Sequence, residues 1–335
     1  MGITILVTGC CGYIGSHTCV ELLLNGYEVV GIDDFSNSDK SVPDIIEKIT
    51  NKHIHVYEGN VLDCDMLETI FKENKIDGVI DFAAYKSVGD SISNPIDYYI
   101  NNVSSLLILS KIMKKHGVKS LIFSSTAAVY GQKEKMPITE LDEIGNTTNP
   151  YGTSKLFDEK ILKDIYLSDK TWNICIFRYF NPVGAHKSGQ LGENPKGIPS
   201  NLMPKIVNAA KNNDIITIYG NNYNTYDGTG VRDYIHVVDL AKAHIKGIDL
   251  VLNESGGYNI YNLGTGRGYS VFDIINTFEK VNNVSIKYHI GEKRCGDVSE
   301  CYASALKVER ELGWKAELGL EEMCKDAYNA SFQTE

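Results

Sequence analysis

The sequence predicts an α/β fold: a Rossmann-type doubly wound parallel sheet with a smaller α/β domain toward the C-terminus. Three observations carry that expectation. Short β-branched and aromatic runs alternate with stretches of helical spacing through the first half of the 335 residues, the pattern of parallel strands joined by crossover helices. The runs are apolar almost throughout, as strands are when both faces of a sheet are covered. After about Asn181 the rhythm breaks into a loop-rich region with Pro182, Pro195, Pro199 and Pro204, followed by shorter strands and helices.

Taken in order, "ITILVTG" reads as a buried first strand, too short for a membrane span and without the basic flank of a secretion signal. "SHTCVELLLNG" has helical spacing, and "YEVVGIDD", "HIHVYEG" and "DGVIDFAA" read as the next strands. "NNVSSLLILSKIMKKHG" reads as a helix closed by Gly117, and "KSLIFSS" and "WNICIFRYFN" as two further strands. Beyond them "IITIYG", "YNIYNLG" and "SIKYHIG" are short strands, and "VRDYIHVVDLAKAHIKGIDLV" is a strand followed by a helix. The division expected is a cofactor domain over 1–181, re-entered at about 231–255, and a substrate domain over 182–230 and 256–335.

A formal net charge of -10 argues against duplex binding, which needs a basic stripe to displace counterions. It leaves room for a small anionic ligand held by local cations and backbone N–H groups. The eight cysteines show no C-x-x-C pair and no zinc-type Cys/His spacing, so free thiols in a reducing, cytoplasmic compartment and no bound metal are expected. His53 and His55 have no third ligand nearby in sequence and read as partly exposed strand residues.

Between the first strand and first helix lies "TGCCGYIG", with Gly9, Gly12 and Gly15 three residues apart. Glycines in that setting permit a tight turn and close backbone approach, and the helix N-terminus faces a pyrophosphate. The second strand ends in Asp33, placed to accept hydrogen bonds from an adenosine ribose and to repel a 2′-phosphate, which favours NAD over NADP. In "NPYGTSK", Tyr151 and Lys155 are four apart and share one helix face if a helix begins near Pro150. A phenol of pKa near ~10 becomes a base near neutrality only after a shift of about three units, roughly 4 kcal/mol. A neighbouring ammonium and a cationic nicotinamide supply such a shift. "FSSTAAVYG" brings hydroxyls at Ser124, Ser125 and Thr126 to the end of a sheet strand ahead of that helix.

"TGCCGYIG", "FSSTAAVYG", "NPYGTSK" and "RYFNPVGA" together resemble the extended short-chain dehydrogenase/reductases, and "GTGVRDYIHVVDLA" with "YNLGTGRGYSV" resembles their UDP-glucose (UDP-galactose) 4-epimerase family. The resemblance runs in order over nearly the whole chain. It implies tightly held NAD and a UDP-sugar substrate. In that family the tyrosine takes the sugar 4-OH proton while hydride passes from C4 to NAD⁺; the 4-keto sugar rotates and hydride returns to its other face. It implies Tyr151 as base, Lys155 as the cation that lowers its pKa and binds the nicotinamide ribose, and Thr126 as the hydroxyl beside the sugar oxygen, where the family often has serine.

The resemblance further implies cofactor contacts at Tyr13, Ile14, Asp33, Asn37, Ser38, Asn60, Val61, Phe82, Ala83, Lys86, Asn101 and Ser124, beside Gly9, Gly12 and Gly15. Asn60 replaces the family's aspartate, its carbonyl still able to accept from the adenine amine. Nucleotide-sugar contacts are implied at Asn181, Asn201, Leu202, Tyr219, Arg232, Arg294, Asp297 and Cys301, the two arginines suited to a pyrophosphate. Family members with a bulky tyrosine at the Cys301 position look restricted to UDP-hexoses, so the small cysteine implies additional use of UDP-GlcNAc and UDP-GalNAc. A 4,6-dehydratase would need an acid where Ala127 and Ala128 stand; a non-catalytic NAD sensor would be free to lose the tyrosine, the lysine or the hydroxyl, and all three are present. A net sugar dehydrogenase remains the third reading. Neither nucleic acid nor membrane is an expected partner, and the family implies a homodimer through helices near 101–117 and 151–166.

Overall fold

The computed structural model describes residues 2–197, 199, 201–253, 257–293 and 297–332. Strands β1 (Thr4–Thr8), β2 (Glu28–Asp33), β3 (His55–Glu58), β4 (Gly78–Asp81), β5 (Ser120–Thr126) and β6 (Asn173–Tyr179) come first. Strands β7 (Asn181–Val183), β8 (Ile215–Tyr219), β9 (Val231–His236), β10 (Tyr258–Leu263), β11 (Gly268–Ser270), β12 (Lys287–Gly291) and β13 (Glu300–Cys301) follow. Among the described residues β1 to β6 pair in parallel in the order β3-β2-β1-β4-β5-β6, and β10 lies beyond β6. The chain runs outward from β1 to β3 and then returns to β4 on the other side of β1. Strand order reverses there, and the crevice at the strand C-termini is where such sheets take ligands.

The sheet is apolar because it is covered. Leu6, Val30, Ile32, Val79, Leu121 and Ile174 form one core with Leu106, Leu109, Ile112 and Met113 of helix Ser105–Lys115 and with Leu162 of helix Pro150–Ser168. Gly247 admits helix Val237–Leu252 to the sheet, since a Cβ there would lie 2.8 Å from the Phe177 ring and 2.9 Å from Ile122.

The chain divides into two compact units, 1–131, 142–179 and 241–261 against 132–141, 180–240 and 262–335. The second unit has its own core, with Ile206, Ile218, Ile274, Phe278 and Met323 at its centre. In it β9 is flanked by β11 and β13 and also pairs with β7, and β8 pairs with β12.

Three sequence expectations shift. Strand Val231–His236, expected to re-enter the first domain, stays in the second unit's sheet, and the chain re-enters at Ala241, inside the following helix. "YNIYNLG" was expected in the substrate domain; as β10 it extends the first unit's sheet, helped by Ile174 N–H donating to the Gly257 carbonyl (2.6 Å). The helix expected from Asn101 opens with a π-helical turn, Ile100–Ser104, before the α-helix Ser105–Lys115; Gly117, with φ of +74°, then closes it as expected.

Candidate active site

In the glycine loop, β1 hands over to helix Tyr13–Leu24 through a turn that only small backbones allow. Gly9 takes φ of +64°, and a Cβ on it would lie 3.1 Å from the Ala83 nitrogen. A Cβ on Gly15 would sit 2.1 Å from the Gly9 carbonyl oxygen, so the helix packs directly on the loop. Gly12 caps the helix without a side chain, which leaves the first-turn N–H groups facing outward for an anion. Tyr13 and Ile14 open that helix half-exposed.

Asp33 closes β2 and is 7% exposed. Its carboxylate accepts from Cys11 N (2.8 Å), Phe35 N (2.9 Å) and Ser38 Oγ (2.7 Å), which fixes its direction. Ser38 therefore orients Asp33, while Asn37 beside it is exposed. Asn60 Nδ2 donates to Asp34 Oδ2 (2.9 Å), and its carbonyl, expected to be open, accepts from Leu62 N (2.9 Å); one lone pair remains. Val61 beside it is buried.

At the reversal point, Thr8 Oγ1 donates to Asp81 Oδ1 (2.6 Å) and accepts from the N–H groups of Phe82 and Ala83 (3.1 Å each). One threonine thus sets the backbone of two expected cofactor residues. Lys86 lies 5.9 Å from the Tyr13 ring centroid. Asn101 donates to its neighbour Asn102, and Asn102 Nδ2 reaches both the Tyr85 carbonyl (3.1 Å) and Ser154 Oγ (2.9 Å). The π-helical turn thereby ties the loop after β4 to helix Pro150–Ser168, a role for which "NNVSS" carried no distinct signal.

That helix starts where expected, with Asn149 Oδ1 accepting from Gly152 N (2.8 Å). Tyr151 and Lys155 consequently share a face. The Tyr151 hydroxyl shares a hydrogen bond with Thr126, which also caps the 3₁₀ turn Ala127–Tyr130 by accepting from Ala128 N (3.2 Å). Burial pushes the Tyr151 pKa up to about 12, and the Thr126 hydrogen bond pulls against it. The protein's own groups therefore move the phenol away from the shift expected of a base. Ser124 is buried and hydrogen-bonded to Tyr179, while Ser125 donates to Glu159 (2.5 Å).

Lys155 is 4% exposed with its ammonium 4.5 Å from the Phe123 ring centroid. Burial lowers its pKa; Asp158, Asp81 and Glu159 hold it up.

In the second unit β13 runs parallel to β9 with Cys301 opposite Arg232, so the two side chains project from one face. Arg232 Nη1 donates to the Val231 carbonyl (2.8 Å). Cys301 is half-buried, and burial pushes its thiol up to about 11. Asn201, exposed, donates to Glu193 (3.2 Å) and precedes Leu202 at the start of helix Leu202–Asn212. Asn181 is exposed at the head of β7, Tyr219 ends β8 with Lys205 5.8 Å from its ring centroid, and Asp297 is exposed. Arg294 lies outside the described residues, as does Cys295.

A family model described as GDP-mannose 4,6 dehydratase matches residues 6–327. A UDP-glucose 4-epimerase of Bacillus subtilis is 50% identical over 325 residues, 97% of this chain and 95% of that one. The crystal structure of a UDP-glucose 4-epimerase from Bifidobacterium longum in complex with NAD⁺ and UDP superposes with a TM-score of 0.95 at 51% identity, over 99% of this chain and 98% of that one. The chain belongs to the UDP-glucose 4-epimerase family. A UDP-Glc/GlcNAc 4-epimerase from Campylobacter jejuni is also similar in structure, with a TM-score of 0.86 and 33% identity over 99% of this chain and all of that one.

Within this UDP-glucose 4-epimerase family member, sequence reasoning passed over Thr8, Asp81, Asn102 and Asp158. Asp158 was findable, since it lies three residues after Lys155 and seven after Tyr151, on their helix face. Neither of its buried oxygens has a hydrogen-bond partner. Burial, then Asp81 and Glu159, push its pKa up to about 8 against the pull of Lys155. An unfolded aspartate titrates near ~3.9, so the folded state favours the protonated form and stability falls as pH rises from about 4 to about 8, then levels. Asp158→Asn is expected to flatten that decline. It should match the parent near pH 4 and exceed it by roughly 2 kcal/mol at pH 9, well under the ceiling of about 1.4 kcal/mol per pKa unit because the protein and entering water relax around a newly formed charge. Urea midpoints at the two pH values measure this; a variant less stable at pH 9 would mean that the ion pair with Lys155 outweighs desolvation.

Proposed function

We propose that this chain catalyses the reversible 4-epimerisation of UDP-galactose and UDP-glucose with bound NAD. The observation that carries the reading is the Tyr151, Thr126 and Lys155 cluster at the end of β5, in the same unit as the glycine loop and Asp33. The residues present fit a dinucleotide: side-chain-free backbone at Gly9 and Gly12, an uncapped helix N-terminus and an oriented carboxylate at the end of β2. When bound, NAD supplies the acceptor and later the donor of the C4 hydride, and its cationic ring adds the positive charge that Tyr151 lacks.

Tyr151 accepts the proton of the sugar 4-hydroxyl and returns it after the 4-keto sugar has turned over. Thr126 holds the phenolic oxygen in line. Lys155 binds the nicotinamide ribose, its ammonium facing Asp81. Gly9, Gly12, Tyr13, Ile14 and Gly15 cradle the pyrophosphate, Asp33, Asn37 and Ser38 take the adenosine ribose, and Asn60 and Val61 take the adenine. Phe82, Ala83, Lys86, Asn101 and Ser124 complete the cofactor contacts. Asn181, Asn201, Leu202, Tyr219, Arg232, Arg294, Asp297 and Cys301 hold the nucleotide sugar. A dehydratase reading, which the description of the family model would suggest, lacks its acid: Ala127 and Ala128 open the turn where that group is needed.

Exposed Ile100, Leu107 and Phe157, 51%, 48% and 43% accessible, support a homodimer through helices Ser105–Lys115 and Pro150–Ser168. No described helix is long and apolar enough to cross a membrane. Free thiols, buried at Cys10, Cys11, Cys19, Cys175 and Cys324, support a reducing, cytoplasmic setting.

Incubation with UDP-galactose and, separately, with UDP-GalNAc, products resolved by NMR, tests the reading: both epimerise without net NADH. No epimer from UDP-galactose with NAD supplied defeats it. The small Cys301 carries the acetamido-sugar half, so Cys301→Tyr is expected to cut turnover of UDP-GalNAc by at least about tenfold, the equivalent of 1.4 kcal/mol, while sparing UDP-galactose. Equal losses on both substrates would remove Cys301 as a selectivity residue.

A further inference from the structure

The sequence placed Cys10 and Cys11 in the variable pair of the glycine loop, with no spacing that suggests a metal. Folding adds a third group, because Asp33 arrives at the loop from the end of the neighbouring strand. The two sulfurs lie 3.7 Å apart. Two thiolates at about 2.3 Å from a tetrahedral zinc stand about 3.8 Å from each other, so the pair is already spaced for one ion. The ligand atoms of Cys10, Cys11 and Asp33 all lie within 4.8 Å of one another, and the three residues are buried. Gly31 makes room for this arrangement, since a Cβ there would sit 2.4 Å from Cys10 Sγ. The carboxylate is oriented by Phe35 N and Ser38 Oγ on one oxygen and by Cys11 N on the other, as the carboxylates of metal sites are oriented by an outer layer of donors.

We propose that Cys10, Cys11 and Asp33 form a site for one thiophilic divalent cation, of the zinc or cadmium type, which excludes the dinucleotide when occupied. Each thiol gives its proton to solvent as its metal–sulfur bond forms, and a carboxylate oxygen and one water complete four ligands. Asp33 closes the third side through Oδ2, which accepts only from Cys11 N and keeps one lone pair. Exclusion follows because the Asp33 carboxylate already accepts three hydrogen bonds, and the one lone pair left cannot ligate the ion and accept from an adenosine ribose at once. Exclusion, unlike ion binding, rests on the NAD reading given above.

The test titrates Cd²⁺ into the full chain freed of nucleotide, with native circular dichroism as the check on folding, and follows the thiolate-to-cadmium absorbance. One equivalent should develop the band. Cys10→Ser and Cys11→Ser should each reduce the affinity at least tenfold, whereas Cys64→Ser, which removes an exposed thiol, should leave the band unchanged. No band, or a band lost with Cys64 and kept without Cys10 and Cys11, overturns the site. Calorimetry of NAD binding to the ion-free chain is run in parallel. Saturating NAD should weaken Cd²⁺ at least tenfold; NAD that binds with no effect on Cd²⁺ overturns exclusion, and NAD that fails to bind the ion-free chain overturns the cofactor reading while the band still decides the ion site.

Discussion

Tyr151→Phe is expected to lower kcat for UDP-galactose epimerisation by about 10²–10⁴-fold, the usual worth of a positioned acid–base group, with NAD content unchanged. The substitution removes one oxygen and keeps the ring, so the packing of helix Pro150–Ser168 is preserved. The lost group is the one for which burial and the Thr126 hydrogen bond compete, its pKa standing at about 12. A phenol so placed needs outside positive charge before it accepts a proton near neutrality. Thr126→Val should therefore also lower kcat, by less, because it keeps the phenol and deletes the hydrogen bond that favours the phenolate, together with the cap on Ala128 N. KM should move little in both variants. Tyr151→Phe with wild-type kcat would transfer the proton to another group and dissolve the proposed mechanism.

The largest effect on stability is expected at a buried ion pair beneath the site. Arg178, 2% exposed on β6, sends Nε (3.0 Å) and Nη2 (2.6 Å) to Glu159 and Nη1 to Tyr130 (2.8 Å). Ser125 adds a hydrogen bond to Glu159, so β5, β6 and helix Pro150–Ser168 meet at one carboxylate, and the 3₁₀ turn joins them through Arg178. Arg178→Met leaves that carboxylate buried without its cation and should cost about 3–5 kcal/mol in urea unfolding. Replacing both partners, Arg178→Met with Glu159→Leu, should recover most of the loss, since neither charge is then stranded. A double variant no more stable than the single one would show that the pair's worth lies in the packing of Arg178 rather than in its charge.

The contrast between Lys155 and Asp158 illustrates how much of the site was legible in the chain. Tyr151 and Lys155 were readable because a helix converts a spacing of four into a shared face, and Asn149 and Pro150 mark its start. Gly9, Gly12, Gly15 and Asp33 were readable because a strand, a tight turn and a helix follow one another within a short segment. Asp158 has the right spacing too, but its meaning depends on burial and on Asp81 at the end of β4. Thr8 and Asn102 act through partners distant in sequence, at 74 residues for Phe82 and 52 for Ser154, and no local pattern encodes such a contact.

The sequence by itself determined the alternating sheet, the dinucleotide loop, the acidic strand end and the tyrosine–lysine helix face, because each is a property of neighbouring residues and of backbone periodicity. Only the tertiary structure decided that β10 joins the first sheet, that β9 does not, and that Cys301 stands opposite Arg232. It likewise decided that the Tyr151 phenol is raised rather than lowered by its surroundings, and that Asp33 meets Cys10 and Cys11. Strand partners, desolvation and the distances between charges are set by long-range packing, so they exist only once the chain has folded.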